Sequence, residues 1–351
     1  MWISILFILL GLVLLVKGGD FLIDGSVSIA KRAKLSPLVI GLTVIGFGTS
    51  MPEFFVSAQA AAAGSSGIAL GNVAGSNIAN ILFILGVTAL ICPIPTKRDM
   101  MRIDMPFFVA CILLLMAAAS QGTIARWMGI AMVAILVMFI SWEIQHARKM
   151  QKRQEISNKT AELLKDYSIA APKPTRLIDL PQEETPAEDE KILPVWRAIL
   201  YVLLALAAMV FGADFLVDGA IDIAMRLGDH FGVEKTQMER IVGLTVVAVG
   251  TSLPELFASV IAARKGQTDM AVGNIIGSGT FNILCVIGLS SAITPITNAW
   301  EPFAFDYFMQ IGAALLLWLF LRTKNLLQRW EGAAFLIIYV LYILKTALLQ
   351  A

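Results

Sequence analysis

The chain has 351 residues, of which 58% are hydrophobic and only 15% are charged, and its mean hydropathy is +0.77. Soluble domains carry roughly a quarter charged residues, so this composition indicates a helical protein that crosses a membrane several times. The net charge of +1 leaves no basic surface for a nucleic-acid partner. Three cysteines without metal-ligand spacing and two histidines argue against a metal centre, and no cofactor is expected.

Ten apolar stretches are long enough to cross a bilayer, which takes about 20 helical residues. In chain order they are residues 2–29, 37–62, 68–92, 103–121, 124–147, 194–225, 239–263, 270–293, 302–321 and 330–349. Gly, Ser, Thr and Pro interrupt several of them, most sharply the second, third, seventh and eighth. The sequence therefore predicts an all-α polytopic membrane protein with ten transmembrane helices and the lipid bilayer as its partner.

A polar segment, residues 148–193, separates the fifth apolar stretch from the sixth. It contains nine Lys and Arg residues, nine Asp and Glu residues and four prolines. Because it is too short and too polar to bury a core, we interpret it as a linker with some helical character. The linker leaves two halves, residues 1–147 and 194–351, with five predicted helices each.

The two halves are related by duplication. Residues 41–94 align on 243–296 without a gap and are identical at 26 of 54 positions. A second matched pair, GGDFLIDG from Gly18 and GADFLVDG from Gly212, extends the duplication to the first helix of each half. Helical propensity alone does not produce such a match, so each half is a five-helix repeat.

Positive charge predicts the orientation, because short cytoplasmic loops of membrane proteins are enriched in Lys and Arg. With the N-terminus outside, the short inner loops hold eleven Lys and Arg residues and the short outer segments hold five. This arrangement puts the linker in the cytoplasm. An odd number of helices per repeat then makes the two repeats inverted, an architecture typical of alternating-access transporters.

The second helix carries GLTVIGFGTSMPE, which ends in Glu53, and the seventh carries GLTVVAVGTSLPE, which ends in Glu255. Thr49 and Ser50 stand four and three residues before Glu53, on the same helical face. Pro52 lacks an N–H and leaves the Gly48 carbonyl without a helical partner. Carboxylate, hydroxyl and carbonyl oxygens together suit hard cations such as Ca²⁺ and Na⁺. A carboxylate in hydrocarbon is costly, which favours a functional role for both glutamates.

The third and eighth helices carry matching polar stripes, GNVAGSNIAN and GNIIGSGTFN. Polar residues recur every fourth position and so share one helical face. They are Asn72, Ser76 and Asn80 in the first copy and Asn274, Ser278 and Asn282 in the second. Glycines at 71, 75, 273 and 277 form GxxxG steps that allow close helix packing.

These motifs resemble the two α-repeats of the Ca²⁺/cation antiporter superfamily, in particular bacterial and archaeal sodium/calcium exchangers. The resemblance covers the membrane portion and implies ten helices, a multi-pass protein of the prokaryotic plasma (inner) membrane, and ions bound midway between the repeats. It implies that the first and sixth helices slide across that core and that carbonyls near Gly46 and Ala248 complete Na⁺ sites. The implied ligands are Thr49, Ser50, Glu53, Ser76, Asn80, Thr251, Ser252, Glu255, Ser278 and Asn282.

The sequence departs from the family pattern at two positions. Gly279 stands opposite Asn77, so the second copy reads GSG where the first reads GSN. Asn282 occupies a position where many exchangers carry aspartate. Two glutamates supply two negative charges, which balance one Ca²⁺ or two Na⁺.

The sequence thus predicts an antiporter that exchanges Ca²⁺ for Na⁺ by alternating access, with no enzymatic activity, since no hydrolase, metalloprotease or cofactor motif is present. An H⁺/Ca²⁺ or K⁺-dependent antiporter is the alternative within this class. A cation channel could use the same oxygen ligands, but channels more often build their pores from several subunits. Nothing in the sequence indicates an oligomeric state.

Overall fold

Helices make up the fold, with four two-residue strands between them in the part of the chain that is described. The computed structural model describes residues 2–33, 35–62, 66–96, 100–167, 193–230, 250, 252–297 and 299–349. In these residues the helices are α1 Trp2–Ala33, α2 Pro37–Thr49, α3 Met51–Ala62, α4 Gly67–Ile91, α5 Met100–Ala119, α6 Arg126–Tyr167, α7 Val195–His230, α8 Leu253–Arg264, α9 Thr268–Ile293, α10 Ala304–Lys324 and α11 Arg329–Leu349. The strands are β1 Ile94–Pro95, β2 Thr123–Ile124, β3 Ile296–Thr297 and β4 Leu326–Leu327.

Seven of the described helices are long and apolar enough to cross a membrane, and α2 with α3 forms an eighth candidate. The prediction of an all-helical membrane protein is confirmed. Much of the seventh predicted span, residues 239–249 and 251, lies outside the described residues. Helix α6 continues to Tyr167, beyond the predicted end of the fifth span at residue 147, so the linker begins as a helix. Its remainder, residues 168–192, also lies outside the described part.

The predicted interruption of the second helix is confirmed at Ser50, where α2 and α3 meet at an angle of 47°. Ser50 has φ −82° and ψ 3°, outside the helical region, and Pro52 follows in the first turn of α3. Proline is tolerated there because the first turn needs no N–H donor. Ser252 has nearly the same angles, φ −93° and ψ 6°, and Pro254 stands in the first turn of α8.

Each repeat packs its last helix against the other repeat. Gly129 of α6 lies against Gly288 of α9, and Gly332 of α11 lies against Gly86 of α4. Gly86 and Gly288 are equivalent positions in the duplication, so the two contacts are reciprocal. The strands repeat this exchange, because β1 pairs with β4 and β3 pairs with β2, both antiparallel. The halves are therefore interlocked and share two apolar clusters, each with residues from both halves.

Helices α1 and α7, which carry the second matched motif, pack against each other in antiparallel directions. Gly11 contacts Gly212, whereas Gly25, further along α1, contacts the earlier residue Ala198. A Cβ atom at Gly11 would lie 2.6 Å from the Gly212 carbonyl oxygen, so only glycine permits this approach. Large apolar side chains such as Leu203 are exposed on the outside, as expected for a surface that faces lipid.

Lys265, which directly follows α8, holds α1 by an ion pair. Its Nζ atom lies 2.6 Å from Asp24 Oδ1 and 3.3 Å from Asp20 Oδ1, and it donates to the Asp20 carbonyl oxygen. The side chains are partly exposed. Their equivalents in α7, Asp214 and Asp218, are exposed as well.

The glycine contacts between the repeats generate a test of the packing. We expect Gly129→Ala and Gly332→Ala each to lower the free energy of unfolding by about 1–3 kcal/mol, because a methyl group there meets backbone atoms that cannot move aside. The measurement is the thermal midpoint of the purified protein in detergent. Gly312→Ala in α10 is the control, since nothing lies within 4 Å of its Cβ position. Equal midpoints for all three variants would contradict the packing described.

Candidate functional site

The third helix of each repeat, α4 in the first and α9 in the second, changes its winding at an asparagine. In α4 a π-helical segment begins at Asn80 and ends at Ile84, and in α9 one begins at Asn282 and ends at Ile287. Such segments widen the turn and often occur at functional sites. Sequence patterns did not predict them. The change of winding lies at the last residue of each predicted polar stripe.

The same hydrogen bonds fasten each glutamate-bearing helix to its asparagine-bearing helix. Asn72 Nδ2 donates to the Glu53 carbonyl oxygen (3.2 Å) and to Ser57 Oγ (2.9 Å). In the second copy, the equivalent Asn274 Nδ2 donates to the carbonyl oxygen of residue 255 (3.4 Å) and to Ser259 Oγ (3.0 Å). The duplication is therefore visible in the hydrogen bonds as well as in the sequence.

Ser57 and Ser259 were not singled out from the sequence, although the signal was present. Both are identical between the copies and stand four residues after the glutamate, on its helical face. Both side chains are fully buried. They hold the asparagine amides, and through these the backbone at each glutamate.

Hydroxyl groups join the two repeats directly. Thr49 Oγ1 lies 3.2 Å from Asn274 Oδ1 and 3.3 Å from Ser278 Oγ. Ser278 Oγ donates to the Gly46 carbonyl oxygen at 3.2 Å. A Cβ atom at Gly46 would lie 2.9 Å from the backbone nitrogen of Ser278, so glycine is required for this approach. The predicted close packing is confirmed at Gly273 and Gly277, which lie against Leu38 and Leu42 of α2, but it is wrong at Gly75, where nothing lies within 4 Å of the Cβ position.

The two glutamates are electrostatic neighbours inside the protein. The Glu53 side chain is 1% exposed and the Glu255 side chain is fully buried. Their carboxyl groups are close enough to interact electrostatically, Ser76 lies beside Glu53, and Thr49 lies beside Glu255. In the part of the chain described, no group of three or more Asp, Glu, His or Cys side chains could hold a metal. Among the described residues, the acidic centre therefore consists of two carboxylates.

Several buried oxygen atoms of the predicted site residues accept no hydrogen bond from the described protein. Burying polar atoms without partners is unfavourable, and native structures contain few of them. The atoms at the predicted site are Ser50 Oγ, Glu53 Oε2, Asn80 Oδ1, Ser252 Oγ, both carboxylate oxygens of Glu255, and Asn282 Oδ1. Oxygen atoms from carboxylates, amides and hydroxyls are the ligands that Ca²⁺ takes, so the donor set fits a hard cation.

The contacts bring together Thr49, Glu53, Ser76, Glu255 and Ser278 from both repeats. Two further residues named from the sequence, Thr251 and Ala248, lie outside the described residues. Asn77 was named from the sequence only as the residue opposite Gly279 and not as a site residue; it is fully buried and contacts both Gly279 and Asn282. The repeat comparison marked the position as a departure but gave no sign of a role, because its equivalent in the second copy is glycine.

Comparison with known proteins identifies the family. The family model described as sodium/calcium exchanger protein matches residues 3–145 and 197–347. The sodium/calcium exchanger MaX1 of Methanosarcina acetivorans is 33% identical over 349 residues, with 97% of each chain covered. The inner membrane protein YrbG of Escherichia coli is 33% identical over 317 residues, covering 89% of this chain and 87% of YrbG.

A solved structure of the sodium-calcium exchanger NCX_Mj, soaked with Na⁺ and Sr²⁺, superposes with a TM-score of 0.74. The two sequences are 27% identical, and the match covers 97% of each chain. The family model and the relatives match both repeats, and all the contacts described above lie within the matched residues. The chain belongs to the sodium/calcium exchanger family.

Proposed function

We propose that this chain is a secondary active antiporter that exchanges Ca²⁺ for Na⁺ at one site shared by the two repeats. The observation that carries the proposal is the set of buried oxygen atoms of the predicted site residues, those of Glu53 and Glu255 included, that have no partner among the described residues. The relatives support the choice of ions, because MaX1 and NCX_Mj are named sodium/calcium exchangers. The ions are cargo, so no cofactor is needed, and the chain is a transporter and not an enzyme.

The charge of the site explains why Ca²⁺ and Na⁺ compete. Two adjacent carboxylates inside a membrane are costly when both are ionised, because they repel each other and have lost contact with water. One Ca²⁺ or two Na⁺ supplies two positive charges and removes this cost. With either load bound, the site is neutral and can be exposed to the other side of the membrane. The unloaded site stays charged and cannot. This coupling is what converts a binding site into an antiporter.

The proposed ligands come equally from the two repeats. Hydroxyls and carboxylates next to Ser50 and Ser252 are combined with hydroxyls and amides of α4 and α9. The Gly46 carbonyl lies among them. The complete proposed set is Thr49, Ser50, Glu53, Ser76, Asn80, Thr251, Ser252, Glu255, Ser278 and Asn282.

Inverted repeats give the site a way to open to each side in turn. We infer ten transmembrane helices in two five-helix repeats, residues 1–147 and 194–351, with the site near the bilayer midplane. The antiparallel packing of α1 on α7 and the reciprocal glycine contacts support this arrangement. We further propose that α1 and α7 slide across the remaining helices to change access.

We propose a plasma-membrane location, which agrees with the name of YrbG as an inner membrane protein. The distribution of Lys and Arg supports an outside N-terminus and a cytoplasmic linker, residues 148–193.

The central test neutralises each carboxylate in turn. We expect Glu53→Gln and Glu255→Gln each to abolish ⁴⁵Ca²⁺ flux driven by a Na⁺ gradient in proteoliposomes, because one remaining charge cannot balance Ca²⁺. Asp218→Asn is the matched control, since it neutralises an exposed carboxylate of α7 and should retain flux. Full flux in both glutamine variants would rule out this site.

The same proteoliposomes distinguish the alternatives when Na⁺, K⁺ and H⁺ gradients are imposed one at a time. We expect the wild-type protein to follow the Na⁺ gradient. Flux that follows the pH gradient and ignores Na⁺ would assign an H⁺/Ca²⁺ antiporter. A requirement for K⁺ would assign a K⁺-dependent exchanger, and Ca²⁺ conductance without a counter-ion would assign a channel.

A second test separates ligands from residues that support them. Ser50 Oγ has no partner among the described residues, whereas Ser57 Oγ accepts a hydrogen bond from Asn72. We expect Ser50→Ala to weaken the apparent Ca²⁺ affinity about tenfold while leaving the ion-free thermal midpoint unchanged. Ser57→Ala should instead lower the ion-free midpoint, since it leaves a buried amide donor unpaired at a cost of about 1–3 kcal/mol.

The measurements are Ca²⁺ titrations and thermal melts of the same purified samples in detergent. If Ser50→Ala lowered only the midpoint and left the affinity intact, Ser50 would be a packing residue and would leave the ligand set.

A further inference from the structure

Asn77 connects the repeats through both groups of its side-chain amide. It lies on α4, is fully buried, and belongs to neither predicted polar stripe. Its Nδ2 atom donates to the Gly279 carbonyl oxygen of α9 at 3.2 Å. Its Oδ1 atom accepts from Asn282 Nδ2 at 3.0 Å. Asn282 is a proposed ion ligand, so Asn77 lies directly behind the site.

The direction of these hydrogen bonds follows from chemistry. A backbone carbonyl oxygen can only accept, so Asn77 has to present Nδ2 to Gly279. Its Oδ1 atom then faces Asn282 and can only accept, so Asn282 has to present Nδ2 to it. Asn282 Oδ1 is thereby left as a buried acceptor with no protein partner among the described residues. The carbonyl of Gly279 thus sets the orientation of an amide on the following turn of its own helix, through a residue of the other repeat.

We propose that Asn77 is a positioning residue that keeps the amide of Asn282 turned with its oxygen toward the transported ions. The proposal rests on the proposed site. Asn282 provides no negative charge, so it can contribute to cation binding only through Oδ1. The opposite rotamer would present an NH₂ group, whose partial positive charge repels a cation. Asn77 determines which of these two faces the ion meets.

We call the hydrogen bonds from Gly279 through Asn77 to Asn282 the relay. No matching relay runs through the second repeat to Asn80, because position 279 is a glycine. Gly279 is the equivalent of Asn77 in the second repeat. A Cβ atom there would lie 2.6 Å from the Phe108 ring, so a side chain is excluded. Asn80, the equivalent of Asn282, therefore has no matching asparagine on α9. This departure from the repeat pattern makes the two halves of the site chemically different.

A double-mutant cycle tests the proposal. The apparent Ca²⁺ affinity and the maximal rate of Na⁺-driven flux are measured for the wild type, Asn77→Ala, Asn282→Ala and the double variant. We expect Asn77→Ala to weaken the apparent affinity about tenfold with little change in maximal rate. In the Asn282→Ala background the same substitution should have no further effect, because the amide that it orients is gone.

Additive effects of the two substitutions on affinity would overturn the relay, since Asn77 would then act independently of Asn282. Asn77→Leu keeps the branched shape of the side chain while removing both hydrogen bonds, and should give the same result if the alanine variant does not fold. Thr88→Val is the control on the same helix, because it removes a buried hydrogen bond to the Ile84 carbonyl oxygen outside the site. It should lower the thermal midpoint without changing affinity.

The failure of the relay and the failure of the site give different results. If Asn282→Ala binds Ca²⁺ as tightly as the wild type, Asn282 is not a ligand, and both its assignment and the relay are overturned. If Asn282→Ala weakens binding but Asn77→Ala does not, the site stands and the relay alone is overturned.

Discussion

The structure depends on holding two carboxylates, Glu53 and Glu255, next to each other inside a membrane. Each carboxylate is removed from water and is repelled by the other when both are ionised. The ionised pair is therefore unfavourable until cations neutralise it. The backbone at each glutamate is held by an asparagine of the neighbouring helix, which limits how far the two residues can separate. In the proposed mechanism, the energy that a bound cation recovers at this pair makes ion binding strong and exchange obligatory.

The helices around the pair supply oxygen atoms without leaving the backbone exposed to lipid. The break at Ser50 and the π segments that begin at Asn80 and Asn282 depart from regular helix at buried residues, and Ser252 is buried with nearly the same angles as Ser50. Such departures are tolerated in membranes when protein surrounds them. Glycines let the broken helices approach so closely that a hydroxyl of one repeat reaches the backbone of the other. Packing and chemistry therefore depend on the same small residues.

Local patterns predicted most of this arrangement. The duplication follows from the repeated spacing of the motifs, and the break follows from Pro52. The shared face predicted for Thr49, Ser50 and Glu53 assumed a continuous helix, whereas the chain bends by 47° at Ser50. What the sequence did not predict arises between distant segments. The reciprocal pairing of β1 with β4 and β3 with β2 involves only two residues per strand, too few for a recognisable pattern. Asn77 was noted only as a departure from the repeat and not as a site residue, because comparison of the repeats selects residues that agree, and its equivalent is a glycine.

The central claim is that both repeats form one Ca²⁺ site, and equilibrium ⁴⁵Ca²⁺ binding to the purified protein in detergent tests it most directly. We expect one Ca²⁺ bound per chain, displaced competitively by Na⁺. We expect no binding at the same concentrations after either glutamate is changed to glutamine. Two Ca²⁺ per chain, with one retained in each glutamine variant, would contradict it, because each repeat would then carry its own site.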